Sequence, residues 1–187
     1  MNDFDNKITF AKETLDRTLN LINNCDLKAT TILALTGVCL TLFCADGTYK
    51  DILLKSLQLI SSTNYIYKFL CIIGYLATCS YLYGLYKLIR VLVPQIDMSA
   101  LKQHSPQLTD NSLIFFGDIS KKSYEWYKNE FISLDSNAYF NDLMSQVYIN
   151  SYICSVKFTN YTTGLKYTSI GIAILVVVIS ITILFSL

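Results

Sequence analysis

From Tyr167 to Leu187 the chain carries no charged residue, and Gly171–Leu184 is almost wholly Ile, Val, Leu and Ala. A helix needs about 20 predominantly apolar residues to cross a hydrocarbon core. The stretch therefore predicts a membrane span that ends the sequence. It is not a cleavable signal peptide, which sits at the other terminus. The composition agrees. Mean hydropathy is +0.39, and charged residues make up 16% of the chain against the quarter usual in soluble domains. A net charge of +1 gives no global field to draw in nucleic acid. Fourteen tyrosines suit membrane interfaces, where the ring lies in apolar surroundings and the hydroxyl stays wet.

Two further spans are expected. Ala29–Ala45 is uncharged between Lys28 and Asp46, and Phe69–Tyr86 between Lys68 and Lys87. Before the first, Phe4, Ile8, Ala11, Leu15 and Ile22 recur at helical spacing, so residues 1–24 read as an amphipathic helix. That helix fits a membrane surface, packing on the soluble part, or a seam between subunits. In the first span Thr30, Ala34, Gly37, Thr41 and Cys44 fall in one narrow stripe, and in the second Ala77, Ser80 and Gly84 share a side. Small residues in such rows let helices approach closely, and the same rows fit the lining of a narrow polar pathway. The domain plan is an N-terminal helix (1–24), a first span (29–45), an external loop (46–67) with a short interfacial helix at Ile52–Ile60, a second span (68–93), a cytoplasmic helical sensor domain (95–166) and a last span (167–187).

Basic residues orient this plan. Twelve Lys/Arg lie in residues 1–28 and 87–166, against three in the first loop. The basic side is cytoplasmic, which places the N-terminus and the long segment inside.

Within 95–166, Leu113–Ile119 is an apolar stretch closed by Gly117 and Asp118. Ser120–Leu134 reads as a helix with Tyr124, Tyr127, Phe131 and Leu134 on one side, and Asp135 or Ser136 as the cap of the next. From Ser136 nothing stops the helix before Leu187. A continuous helix of that length would extend about 78 Å at 1.5 Å per residue and act as a rigid transmitter, with Gly164 and Gly171 as points of bending. The fold class is an all-α membrane protein: three transmembrane helices, a small helical cytoplasmic domain, and a long continuous last helix.

Enzyme signatures are absent. The chain has no G-x-S-x-G, P-loop or H-E-x-x-H motif. A single His104 and six cysteines without a C-x-x-C give no ordinary zinc site and no disulfide framework. Asp118 as a helix cap and Asp142 on a solvated helix face are simpler readings than a pair of catalytic acids. Lys121, Lys122 and Lys128 lie close in sequence to Tyr124, Trp126 and Tyr127. Cations beside aromatic rings suit a nucleotide, with phosphates on the ammonium groups and a base on a ring. By spacing alone, a solvated basic face opposite an aromatic stripe fits as well.

Several short motifs narrow the choice. Asp26-Leu27-Lys28-Ala29 precedes the first span, and Phe115-Phe116-Gly117-Asp118-Ile119 is followed by Tyr124. Asp142-Leu143-x-x-Gln146-x-Tyr148 then leads through Lys157 and Tyr161 into the last span. Together, from about Asn24 onward, they resemble the Pycsar effector family; Asn2–Asn23 lies outside the resemblance. Members are small bacterial membrane proteins encoded beside a nucleotide-synthesising enzyme, and they impair the inner membrane of an infected cell. Similar membrane effectors serve CBASS and Hailong-type systems. The resemblance implies a regulatory nucleotide or oligonucleotide, made by a co-encoded cyclase or nucleotidyltransferase, and no other cofactor. The candidate ligand-binding set, from the cation–ring surface and the motifs together, is Phe116, Asp118, Lys121, Lys122, Tyr124, Lys128 and Lys157.

The leading expectation is a nucleotide-gated effector that forms an oligomeric pore or disrupts the bilayer, most simply as a closed ring of four, since three helices cannot enclose a pore alone. A non-conducting membrane scaffold that docks a cytosolic enzyme is the alternative. The orientation is directly testable. In intact cells a cysteine placed at Thr48 is expected to react with an impermeant maleimide and one at Lys122 is not; the reverse pattern would invert the topology.

Overall fold

A computed structural model of the chain describes residues 3–45, 50, 65–93, 105 and 107–186, except for the side chains at 43, 44, 67, 183, 185 and 186. The short helix expected at Ile52–Ile60, most of the loop around it and most of residues 94–106 lie outside the described residues, as does the side chain of Cys44. The helices described in full are, in order, α1 Asp3–Ala45, α2 Tyr65–Leu92, α3 Phe116–Ile119, α4 Tyr124–Ser133 and α5 Ser136–Ser186. No strand occurs among the described residues. Segments of α1, α2 and α5 are each long and apolar enough to cross a bilayer. The protein is all-α and membrane-embedded, with a long last helix.

The first helix boundary differs from the sequence reading. The amphipathic helix and the first span are a single 43-residue helix. Asn23-Asn24-Cys25-Asp26 holds neither Gly nor Pro, so a fall in hydropathy there breaks no backbone hydrogen bond. Acidic Asp3 and Asp5 in the first turn oppose the positive end of the helix dipole. Thr31 and Thr41 donate to the carbonyls of Leu27 and Gly37, four residues back, so these hydroxyls need no partner outside their own helix.

Contacts divide the chain into two compact units. One comprises Met1–Asn24 and Gln95–Val156, the other Cys25–Pro94 and Lys157–Leu187. In the first, the buried side of α1 is the stripe read from the sequence. Ala11 and Thr18 are buried, and Phe4, Ile8, Leu15 and Ile22 are half-buried. The stripe packs on α5, where Phe4 and Phe140 set their rings 5.5 Å apart and Lys12 lies over the Tyr139 ring. Leu143 and Ile149 are the buried apolar residues of α5 in this unit.

In the second unit α2 and α5 cross at very short range. Lipid tails are as apolar as leucine side chains, so helices in a bilayer associate through close packing rather than through escape from water. Ala77 and Gly84 are buried on α2, as are Gly164, Thr168 and Gly171 on α5. A methyl group added to Gly171 would lie 2.7 Å from the Tyr81 backbone nitrogen, and one on Gly164 3.0 Å from the Gly84 carbonyl. One on Gly84 would overlap Thr168 itself. Ser80 Oγ donates to the Tyr167 carbonyl at 3.2 Å, and Tyr83 meets Tyr167 edge-on with centroids 5.1 Å apart. Gly164 and Gly171 are thus contact points in a helix that runs without interruption from Ser136 to Ser186. The seam expected at Ala77, Ser80 and Gly84 lies inside one chain.

The stripe on α1 is placed differently. Thr30, Ala34, Gly37 and Thr41 are exposed, and nothing within 4 Å would meet a methyl on Gly37. The opposite side of α1 is used instead. Cys25 and Ala29 join Leu88 and Val91 in a core flanked by Ile32, Leu33, Leu85 and Tyr161.

The crossing predicts unequal effects of one methyl group. Gly84→Ala has backbone in its way and is expected to cost about 1–3 kcal/mol. Gly74→Ala, at an ordinary 3.7 Å from Val178 Cγ1, is expected to be near neutral. Thermal unfolding in detergent measures both, and equal losses would contradict the close crossing.

Candidate functional site

The candidate surface begins where the chain turns back onto α5. Asn111 has φ 58°, a left-handed conformation that asparagine tolerates better than most residues. It delivers Ser112 into the interior, where that side chain is 1% exposed. The Ser112 hydroxyl accepts from the backbone nitrogens of Ile114 and Phe115, at 3.1 and 3.0 Å, closing a local turn. Gln146 Nε2 donates to the same oxygen at 3.2 Å from α5.

Three other bonds hold this turn. The Leu113 N–H donates to Asp142 Oδ2 at 2.8 Å, the Thr109 N–H donates to Ser145 Oγ at 3.1 Å, and the Ser112 N–H donates to Asp118 Oδ2 at 3.2 Å. Asp142, Ser145 and Gln146 lie within five residues on one helical turn and a little more, so α5 presents them together.

Both acids therefore have roles other than those expected. Asp142 is buried, at 4% exposure, and not on a solvated face. Its Oδ2 holds the turn, and its Oδ1 has no hydrogen-bond partner among the described residues. Asp118 lies inside α3 and braces Ser112, so it is not a cap. The caps are Ser123, which accepts from the Trp126 N–H at 3.2 Å, and Asp135, which accepts from Ala138 N–H at 2.6 Å. The helix expected from Ser120 begins accordingly at Tyr124.

Between α3 and α4 the surface carries cations and rings. Lys121 is exposed and only loosely paired with Asp118, at 3.8 Å. Lys122 places its ammonium 4.9 Å from the centre of the Trp126 ring. Phe116 is 78% exposed, and its ring rests against Phe115, with centroids 4.9 Å apart. Gly117 leaves room for that arrangement, because a methyl there would come within 2.6 Å of Phe115 Cε1. Cations for phosphate and an open ring for a base thus stand on one short turn.

Not every residue of the expected set joins it. Tyr124 and Lys128 are each two positions from Trp126, about 200° round the helix, so they face away from the Lys122–Trp126 contact. Lys157 belongs to the other unit. There its ammonium meets both carboxylate oxygens of Asp26, at 2.6 and 2.7 Å, with its side chain 13% exposed. The motif residues are mainly tethers: Asp142 and Gln146 hold the turn, Asp26 holds Lys157, and Tyr161 packs on the core of Cys25, Ala29, Leu88 and Val91. Lys28 is exposed.

Sequence reasoning missed Ser112, Thr109 and Ser145. A serine after an asparagine, ahead of an apolar run, is the usual composition of a side-chain-closed turn. Nothing in the spacing links it to a helix 30 residues later.

The family model for the Pycsar effector protein domain matches residues 10–184. The match reaches further toward the N-terminus than the motifs do and takes in most of the first helix. No curated protein and no solved structure matches the chain.

The tethers make a prediction about local order. Asp142→Ala leaves the half-buried Leu113 N–H without its acceptor, a loss of about 1–3 kcal/mol. Hydrogen exchange over residues 107–119 is expected to speed up while exchange in α2 stays unchanged. Unchanged exchange in 107–119 would show that the carboxylate does not hold the turn.

Proposed function

Because the chain belongs to the Pycsar effector family, we propose that it is a nucleotide-gated membrane effector of bacterial anti-phage defence, acting in the inner membrane as an oligomeric pore or by disrupting the bilayer. The messenger is a nucleotide or oligonucleotide made by a co-encoded cyclase or nucleotidyltransferase. The observation that carries this reading is the Lys121/Lys122–Trp126 surface beside exposed Phe116, on a turn tied to a helix that is itself a membrane span. Phosphates are assigned to Lys121 and Lys122 and a base to Phe116 or Trp126, with Asp118 bracing the turn.

A ligand biases a pore only through unequal affinity for its two states. Here the inequality would come from the turn. Its position depends on Asp142, Ser145 and Gln146 of α5, so a ligand that moves the turn acts on that helix directly. The uncovered Thr30, Ala34, Gly37 and Thr41 row is assigned to the seam or pore between subunits, as a ring of four in the simplest arrangement. The N-terminus is cytoplasmic on the count of basic residues.

The test is Lys121→Glu with Lys122→Glu. Reversing two exposed charges is expected to leave insertion intact and to weaken nucleotide binding at least tenfold by calorimetry, because attraction becomes repulsion. Membrane-potential imaging gives the sign: an activating messenger leaves the variant silent, an inhibitory one leaves it constitutively toxic. Parental binding by the variant would place the ligand elsewhere. Unchanged membrane potential in cells expressing the parent protein with its enzyme partner would favour the scaffold.

A further inference from the structure

Helix α4 has no buried residue. Tyr124, Phe131 and Ile132 are 76%, 58% and 71% exposed. At 100° per residue, Phe131, Tyr124, Lys128, Ile132 and Glu125 occupy one continuous arc, and half-buried Trp126 and Tyr127 fall outside it. A ten-residue helix is marginal in water on its own, and an exposed apolar row calls for a cover.

The charges on this segment choose between covers. A helix that lies on anionic lipid carries an excess of Lys and Arg on its polar face. From Lys121 to Asp135 the three lysines are balanced by Glu125, Glu130 and Asp135. The pattern instead matches itself. When two copies of α4 run antiparallel about a two-fold axis between Trp126 and Tyr127, Glu125 of each copy meets Lys128 of the other. Both ion pairs form at once, as an isologous contact requires. A register centred on Lys128 would set two ammonium groups against each other, so the charges specify the register as well as the partner.

We propose that α4 pairs antiparallel with α4 of a second copy of this chain, through reciprocal Glu125–Lys128 contacts with Tyr124, Phe131 and Ile132 covered between the copies. This rests on the oligomeric part of the reading above and not on its ligand. Neither charged residue shares the side of the helix where Lys122 meets Trp126.

The full-length protein is tested in detergent and in membranes, with a benzophenone amino acid replacing Ile132. In the proposed register position 132 lies opposite Lys121, so the crosslink is expected to map to the segment around Lys121 of a second copy. Glu125→Lys alone and Lys128→Glu alone are each expected to lose most of the crosslinked dimer. The two single variants expressed together, or both changes in one chain, are expected to restore it. Crosslinks to lipid, to another protein or within the same chain would overturn the pairing, as would single charge variants that crosslink like the parent. Light scattering separates the two readings. A multimer whose position-132 probe misses the second α4 rejects the helix pairing alone, whereas a monomer rejects the oligomeric reading too.

Discussion

Gly84 and Thr168 approach so closely that the smallest side chain on Gly84 would overlap its neighbour. The membrane unit depends on that approach. In hydrocarbon the helices gain nothing by leaving solvent, so the attraction between α2 and α5 must come from dispersion and polar contacts at short range. Gly164, Thr168 and Gly171 supply a backbone without bulk on α5, and Ala77 and Gly84 do so on α2. Once the backbones are in contact, Ser80 reaches a carbonyl on the other helix and Tyr83 finds Tyr167. Neither contact would survive a separation set by leucine side chains.

A different logic holds the other unit. Its turn at 107–119 is held to α5 by polar bonds. Ser112, Asp142, Ser145 and Gln146 are all buried, and buried polar groups are costly unless paired. Their pairing therefore specifies one position for the turn. The exposed features that follow it, Phe116, Lys121 and the Lys122–Trp126 contact, take their places from that position.

The ion pair of Asp26 and Lys157 gives one expected ligand residue a partner within the second unit. A lysine that is 13% exposed and bound to both oxygens of a carboxylate is already neutralised. Releasing it to a phosphate would strand Asp26, and an uncompensated, partly buried charge is expensive. Lys121, at 74% exposure, has no such commitment beyond a loose contact with Asp118.

The sequence by itself determined the all-α class, the three spans, the long final helix and the buried stripe of α1. Each of these follows from composition and from a period of 3.6 residues, which are local properties. It also displayed the cations and rings of the candidate surface. What only the tertiary structure decided is which faces are shared. Thr30, Ala34, Gly37 and Thr41 look in sequence as suited to close packing as Ala77, Ser80 and Gly84, yet only the second row has a helix against it. Gly164 and Gly171, which the sequence marks as weak points, are contact points for the same cause, since what stands beside a helical glycine decides what its missing side chain does. Asp142 looked solvated until a turn 29 residues earlier in the chain closed over it. Periodicity reports the face on which a residue lies, and partners distant in sequence decide what that face meets.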